Sequence, residues 1–249
     1  LPTDKTARDW VAKYLACSGN MTPFDFSLLT PPPEGEQNTQ GWLDARRGRI
    51  TASSRAHKLI TGRDSTLSLM MDEMAEELKH PASDGFSNRY TEHGHAFEGQ
   101  AIGDYDMMRL SFDPIIVNPG MFVHSEFDIA SATPDFLEGD DISGQVKCPY
   151  MAKNHLNLLH FGCRMVSDKY YTQVQFEAFV TARKRIVFVS YHPDVPATNQ
   201  LYHEEVPLDN EMQDKFYRKL TEINHMLVND ERFEEKKNTV GIDGIPDLW

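Results

Sequence analysis

Ala132-Thr133-Pro134-Asp135-Phe136-Leu137, a short acidic turn, and then Gly144-Gln145-Val146-Lys147-Cys148-Pro149 form the stretch whose reading decides the fold. Ile129, Phe136 and Leu137 are apolar strand formers, and Glu138-Gly139-Asp140-Asp141 is a turn cluster. The pattern predicts two short strands joined by a tight connection. Gln145 and Lys147 are two positions apart, so on a strand they share one face while Val146 points to the other, into a core. Asp135 follows a proline at the end of the first strand, and a hairpin brings it beside Gln145 and Lys147. A carboxylate, a second oxygen ligand and a lysine then converge on one point.

That convergence has the layout of a Pro-Asp…(Asp/Glu)-x-Lys nuclease site, with Gln145 where the layout asks for an acid. Hydrolysis of a phosphodiester near neutral pH needs an activated water and relief of charge on the phosphorus oxygens. A divalent metal held by carboxylates supplies both. Hard cations such as Mg²⁺ take oxygen ligands, which makes Asp135 the first candidate ligand. Lys147 is placed to orient or deprotonate the water, or to stabilise developing charge.

Working outward, residues 90–110 read as a helix carrying Phe97, Ile102, Tyr105 and Met108, and Glu98 lies on it after Gly94-His95-Ala96-Phe97. In isolation Glu98 reads as a solvated helix glutamate. His93 and His95 lack a metal-type partner at helical spacing and read as core or surface residues. Gln173, in Tyr171-Thr172-Gln173-Val174-Gln175, sits on a helix expected over 168–183, where alone it reads as the polar side of an amphipathic helix. Further strands are expected over 115–122, 127–137, 185–191 and 201–206, and helices over 152–161 and 210–229. Residues 66–79 form a helix whose Leu67, Met70, Met71, Met74 and Leu78 recur at helical spacing, as core or as a subunit contact.

On the N-terminal side, a short helix over 42–46 ends at Gly48, and Ile50-Thr51-Ala52-Ser53-Ser54 leads into another helix with Thr51 or Ser53 as its N-cap. A hydroxyl and an arginine at a helix start make a phosphate pocket, which singles out Arg46 and Ser53. Arg46, Arg47 and Arg49 stand out in a chain of formal net charge −13. That charge argues against a protein that coats nucleic acid in bulk, yet leaves room for an enzyme with a local positive track. Residues 4–17 read as an amphipathic helix and 30–41 as a Pro- and Gly-containing linker. The organisation expected is residues 1–41 as helix and linker, 42–229 as one domain, and 230–249 as a tail. Apolar content of 40% and charged content of 25% are those of a soluble globular protein. No apolar run reaches membrane-span length, and the segment 1–20 lacks a signal-peptide core. Cys17, Cys148 and Cys163 are odd in number and lack metal-type spacing, and so read as free thiols in a reducing compartment. The alternation of elements predicts an α/β fold with a central mixed β-sheet flanked by α-helices.

The blocks Trp42-Leu-Asp-Ala-Arg46-Arg-Gly48-Arg-Ile-Thr51-Ala52-Ser53, Gly94-His-Ala-Phe-Glu98, Thr133-Pro-Asp135, Gln145-Val-Lys147-Cys-Pro149 and Gln173-Val-Gln175, in this order, resemble the phage lambda exonuclease family of YqaJ-type viral recombinases. The resemblance runs from about residue 42 to 194. It implies a restriction-endonuclease-like core of the PD-(D/E)xK superfamily. It also implies Mg²⁺-dependent (Mn²⁺ substituting), processive 5′→3′ digestion of one strand of linear duplex DNA, leaving 3′ overhangs for homologous recombination. The partners it implies are double-stranded DNA ends, a ring-shaped homotrimer and a single-strand annealing protein, in the cytoplasm of a bacterial host. By position, Asp135, Gln145 and Glu98 match the metal site, Lys147 the catalytic lysine, and Gln173 a supporting residue. Arg46, Ser53 and Thr133 match the 5′-phosphate pocket, and Trp42, Arg47 and Arg49 fall where DNA is contacted. The departure is Gln145, which costs the site one negative charge. Two explanations stand: an isosteric replacement that binds substrate without cutting it, or a variant that tolerates the amide. Two other functions also stay open, a restriction-type endonuclease on the same core and a non-catalytic DNA-end-binding protein.

Overall fold

The expected hairpin forms. Strands β5 (Phe136–Glu138) and β6 (Ile142–Lys147) pair antiparallel, with Phe136 opposite Gly144. A Cβ on Gly144 would overlap the Phe136 ring, so the glycine is what lets that ring lie across the neighbouring strand. This one cross-strand packing locks the register that sets Asp135 against Gln145.

The computed structural model describes residues 39–80 and 88–228, which lie in one compact unit. The expected N-terminal helix, most of the linker, Cys17 and the tail fall outside the described residues. Helix α1 (Gln40–Arg46) takes in the last two residues of the expected linker, because Thr39 caps it by accepting from the Trp42 amide. It is followed by β1 (Ile50–Thr51), α2 (Ala56–Thr61), α3 (Asp64–Lys79) and α4 (Arg89–Met108). Strands β2 (Ile115–Val117), β3 (Phe122–Val123) and β4 (Ala130–Ala132) precede the hairpin. Helices α5 (Ala152–Val166) and α6 (Asp168–Thr181) then cross over to β7 (Arg185–Tyr191), β8 (Leu201–Val206) and α7 (Asn210–Val228).

Five strands form a mixed sheet in the order β2-β5-β6-β7-β8, in which β6 and β7 are parallel and the other pairs antiparallel. With helices on both faces, this is the α/β architecture of a restriction-endonuclease-like core. Alternation along β7 assigns its faces. Val187, Val189 and Tyr191 pack with Val146 against Ala101, Ile102 and Tyr105 of α4, while Ile186 and Phe188 pack against Val174 and Ala178 of α6.

Several local expectations are corrected. The single strand expected over 115–122 is broken where Asn118 and Gly120 take positive φ, and the one expected over 127–137 is interrupted between Ala132 and Phe136. The pieces β1, β4 and β3 instead build a second, three-stranded sheet. Thr51 and Ser53 do not cap α2: Arg55 holds the N-cap position without a side-chain bond. The helix expected to stop at 161 continues through a kink at Gly162 (φ +77) to Val166. The methionine stripe of α3 is core, as the first of its two readings had it, packed with Leu59, Phe176 and Phe216. Helix α6 is not amphipathic. It lies between the five-stranded sheet and the α2–α3–α7 layer, so Phe176 and Val180 are buried on one side and Val174 and Ala178 on the other.

Candidate active site

The hairpin holds Asp135 by its backbone first. Its amide donates to the Gly144 carbonyl at 3.0 Å, and its carbonyl accepts from the Asn118 amide at 3.0 Å. The carboxylate then turns toward β6. Asp135 Oδ2 accepts from the Val146 amide at 2.7 Å and from Gln145 Nε2. Gln145 Oε1 points the other way, accepting from Gln173 Nε2 at 2.5 Å, and the same Gln173 nitrogen donates to Glu177 Oε1 at 2.9 Å. A chain Asp135–Gln145–Gln173–Glu177 therefore runs from the hairpin into α6. Glu98, on α4, faces a cavity of about 430 Å³ whose wall also carries His95, Asp135, Gln145 and Lys147. The Lys147 ammonium lies 5.7 Å from the Tyr170 ring centre.

Burial pushes the Asp135 carboxyl up to about 7; the Glu98 charge adds to the rise, while Lys147, the Val146 amide and His95 oppose it. Burial also raises Glu98, against Lys147. Glu177 is raised well above the ordinary range by burial and by Asp135, and its Oε2 has no hydrogen-bond partner. Three acids share the field of one lysine, so the cluster is short of positive charge.

The arginine region is built separately. Arg46 Nη2 donates to Thr51 Oγ1 at 3.4 Å and Ser53 Oγ at 3.3 Å, and its guanidinium carbon lies 4.2 Å from the centre of the Trp42 ring. Burial lowers its pKa to about 10, with Arg55 adding to the fall. Parallel pairing sets Thr51 beside Ser131, and the Ala52 amide donates to the Ser131 carbonyl at 3.1 Å. Asp135 is four residues beyond Ser131, at most about 14 Å of extended chain. Thr133, on that path, has a buried Oγ1 with no hydrogen-bond partner. Arg46 also lines a second cavity of about 910 Å³ that it shares with Asp72, Glu73 and Glu76, so that space is of mixed charge. Arg47 donates to the His80 carbonyl at 2.5 Å and pairs with Asp44 at 3.3 Å, while Arg49 donates to the Ala45 carbonyl at 2.9 Å. Both are tied to the protein's own backbone, although Arg47 lines the same cavity as Arg46 and Thr51.

The profile of the YqaJ-like viral recombinase domain matches residues 41–184, more than half of the chain. The chain belongs to the YqaJ-like viral recombinase family. Among solved structures it is similar to the alkaline exonuclease LHK-Exo from Laribacter hongkongensis, with TM-score 0.67 and 22% identity over 81% of this chain and 98% of that one. LHK-Exo in complex with dAMP matches at TM-score 0.67 and 23% identity over the same shares of 81% and 98%. A phage-related exonuclease from Haemophilus somnus follows, with TM-score 0.55 and 15% identity over 70% of this chain and 90% of that one. At these identities the structural likeness establishes the fold. No match is found among curated proteins. Family membership supports a nuclease acting on DNA and, in general, dependence on metal.

In this YqaJ-like domain, no group of three or more His, Cys, Asp or Glu side chains among the described residues is arranged to hold a metal ion. The donor set still fits a hard divalent cation. Asp135 and Glu98 are oxygen donors on one cavity, and burial holds both above their ordinary range despite the opposing charge of Lys147. Gln145 turns its nitrogen, not its oxygen, toward Asp135. The structure thus brings together Asp135, Gln145 and Lys147, which the residue pattern joined, with Glu98 and Gln173, which the family resemblance added. The sequence reading missed Glu177, whose only sequence signal is its place one helical turn after Gln173.

Proposed function

We propose that this chain is a metal-dependent 5′→3′ exonuclease acting on linear double-stranded DNA, leaving 3′ overhangs for phage-type recombination. The observation that carries the reading is the shared cavity of Asp135, Gln145, Lys147 and Glu98 at the end of the β5–β6 hairpin. Asp135 and Glu98 would hold Mg²⁺, or Mn²⁺ in its place. When bound, the ion supplies Lewis acidity at the phosphoryl oxygens and lowers the pKa of water. Lys147 orients the attacking water or balances charge at the phosphate, and Gln173 fixes the amide of residue 145. Arg46, Ser53 and Thr133 receive the 5′-phosphate of the recessed strand, with Trp42 supporting the Arg46 guanidinium. The DNA-end contacts extend to Arg47 and Arg49 only if the backbone bonds they make are exchanged. The dAMP complex of LHK-Exo, which shares this fold, favours a nucleotide as the ligand class.

An acidic exterior offers little sequence-independent grip on DNA, since that grip is backbone attraction and falls with salt. A closed homotrimer holds DNA by topology instead, and light scattering on the full chain should give three times 28.5 kDa. A single-strand annealing protein is the corresponding partner for the overhang. A second reading, binding an end without cutting it, is favoured by the Gln145 amide nitrogen facing Asp135.

The test is Mg²⁺-dependent release of nucleotides from 5′-phosphorylated linear duplex, comparing this chain with Gln145→Glu. The carboxylate restores one ligand charge, and the rate should rise on the order of 100-fold. Circular duplex should stay intact. If both proteins leave linear DNA whole, the exonuclease reading is wrong. Equal rates at limiting Mg²⁺ would mean the amide is a competent ligand and the second reading fails.

A further inference from the structure

We propose that Glu177 is a positioning residue that decides which end of the Gln145 amide faces Asp135, and so sets the metal affinity of the site. The inference rests on the metal-site reading above and assigns a role to a residue outside it. Each link is a directional hydrogen bond. Glu177 Oε1 accepts, so Gln173 must turn its nitrogen inward, at 2.9 Å from Glu177 and 2.5 Å from Gln145 Oε1. Gln145 then has its carbonyl oxygen occupied and its Nε2 directed at Asp135 Oδ2, with the Val146 carbonyl accepting from the same nitrogen at 3.3 Å, so Glu177 reinforces from the far end an orientation that these two acceptors also favour. An N–H donor between two would-be ligands cannot coordinate a cation.

For Gln145 to present oxygen to the site, both amides must reverse together. Gln173 would then turn its oxygen toward Gln145 Nε2 and toward residue 177. Glu177 Oε1, the oxygen that faces Gln173, would meet that oxygen with another acceptor, and relief would need the carboxyl to turn a protonated oxygen toward Gln173, so the reversal is opposed. Burial sharpens the constraint, because Gln145, Gln173 and Glu177 are 3%, 8% and 1% exposed and water is poorly placed to replace a lost bond. A glutamate at position 145 escapes it. A carboxylate has no N–H end, accepts from Gln173 in the existing orientation, and still offers its other oxygen to a metal. Glu177 is therefore compatible with a metal site built on a glutamate and antagonistic to one built on Gln145.

The experiment is a cycle of four full-length proteins, with Gln or Glu at 145 and Glu or Gln at 177, in which Mn²⁺ binding is followed by the EPR signal of free Mn²⁺ without DNA. Glu177→Gln can donate to the reversed Gln173 oxygen, so it should tighten Mn²⁺ binding roughly 10-fold when residue 145 is Gln. When residue 145 is Glu, the same change should leave binding equal or weaker, since it only removes a nearby acid. A gain confined to the Gln145 background separates positioning from a structural role, which would weaken binding in both backgrounds, and from simple charge, which would do the same. If thermal melting shows that Glu177→Gln does not fold, Glu177→Met, similar in length and unable to accept, serves with the same signs expected. Weaker or unchanged binding in the Gln145 background overturns the inference while the metal site stands. Failure of the Gln145→Glu protein to bind Mn²⁺ overturns the metal-site reading itself, and the inference with it.

Discussion

Asp135, just before the three-residue strand β5, and Glu138, its last residue, are buried to 7% and 2% exposure, and they are treated in opposite ways. Glu138 is closed. Its Oε2 accepts from the Tyr105 hydroxyl at 2.7 Å and its Oε1 from Arg109 Nη1 at 2.9 Å. Asp135 is left open, with neutral amides as its donors and its side chain on a cavity. The difference separates architecture from function. A buried carboxylate that serves the fold is given its own cation, because an unpaired one is costly. A carboxylate that serves chemistry is left short of positive charge, which a ligand can supply.

Cutting the closed side should have the largest effect on stability. Arg109→Ala strands Glu138 without its cation, and urea denaturation should show a loss of about 3 kcal/mol. Mn²⁺ binding by the Gln145→Glu background should stay unchanged. A loss of metal affinity on a par with the loss of stability would mean that the two ends of the strand are one coupled unit.

The open side should respond with the opposite sign. The folded state holds the Asp135 proton up to about pH 7, whereas an unfolded aspartate releases it near 4. Between those values the folded state binds more protons, so this group's contribution is fully present below about pH 4 and is lost as pH rises to 7. Asp135→Asn keeps an oxygen that can accept from Gln145 and the Val146 amide, yet carries no charge. Without metal it should be more stable than the parent at pH 8 by on the order of 2 kcal/mol, with no difference at pH 3.5. A destabilised Asp135→Asn protein at pH 8 would show that the open carboxylate is structural after all.

Arg46 is the cationic counterpart. Its side chain bonds to two hydroxyls and stacks on Trp42, without an ion pair to a carboxylate among the described residues. If it too is left open for a ligand, Arg46→Ala should reduce the preference for 5′-phosphorylated over 5′-hydroxyl duplex ends by roughly 10-fold, and total DNA affinity by less. Competition binding with the two kinds of end reads this directly. An unchanged preference removes Arg46 from the phosphate pocket.

Several parts of this molecule were legible one residue after another. The β5–β6 hairpin follows from apolar strand formers around an acidic turn. That the hairpin brings Asp135 beside Gln145 was also readable, though the role of Gly144, small enough for Phe136 to cover, showed only in the structure. β7 was readable because its β-branched and aromatic residues, Ile186 to Val189, declare a strand without help from distant contacts. The side-chain period of two then put Gln145 and Lys147 on one face and Val146 on the other, which is a property of the chain itself.

What the tertiary structure alone decided depends on partners far apart in sequence. The small sheet needs Ile50 to meet Ala130, and no local pattern in either strand records that pairing. Helix α6 reads as amphipathic until layers close on both its sides, and only then does a polar residue such as Glu177 become a buried acid with an unpartnered oxygen. Arg47 looks like a free cation until folding brings the His80 carbonyl, 33 residues away, to it. The physical reason is the same throughout. Propensity and periodicity act over a few residues, whereas burial, charge balance and the direction of a shared hydrogen bond belong to surfaces that exist only once the chain has packed.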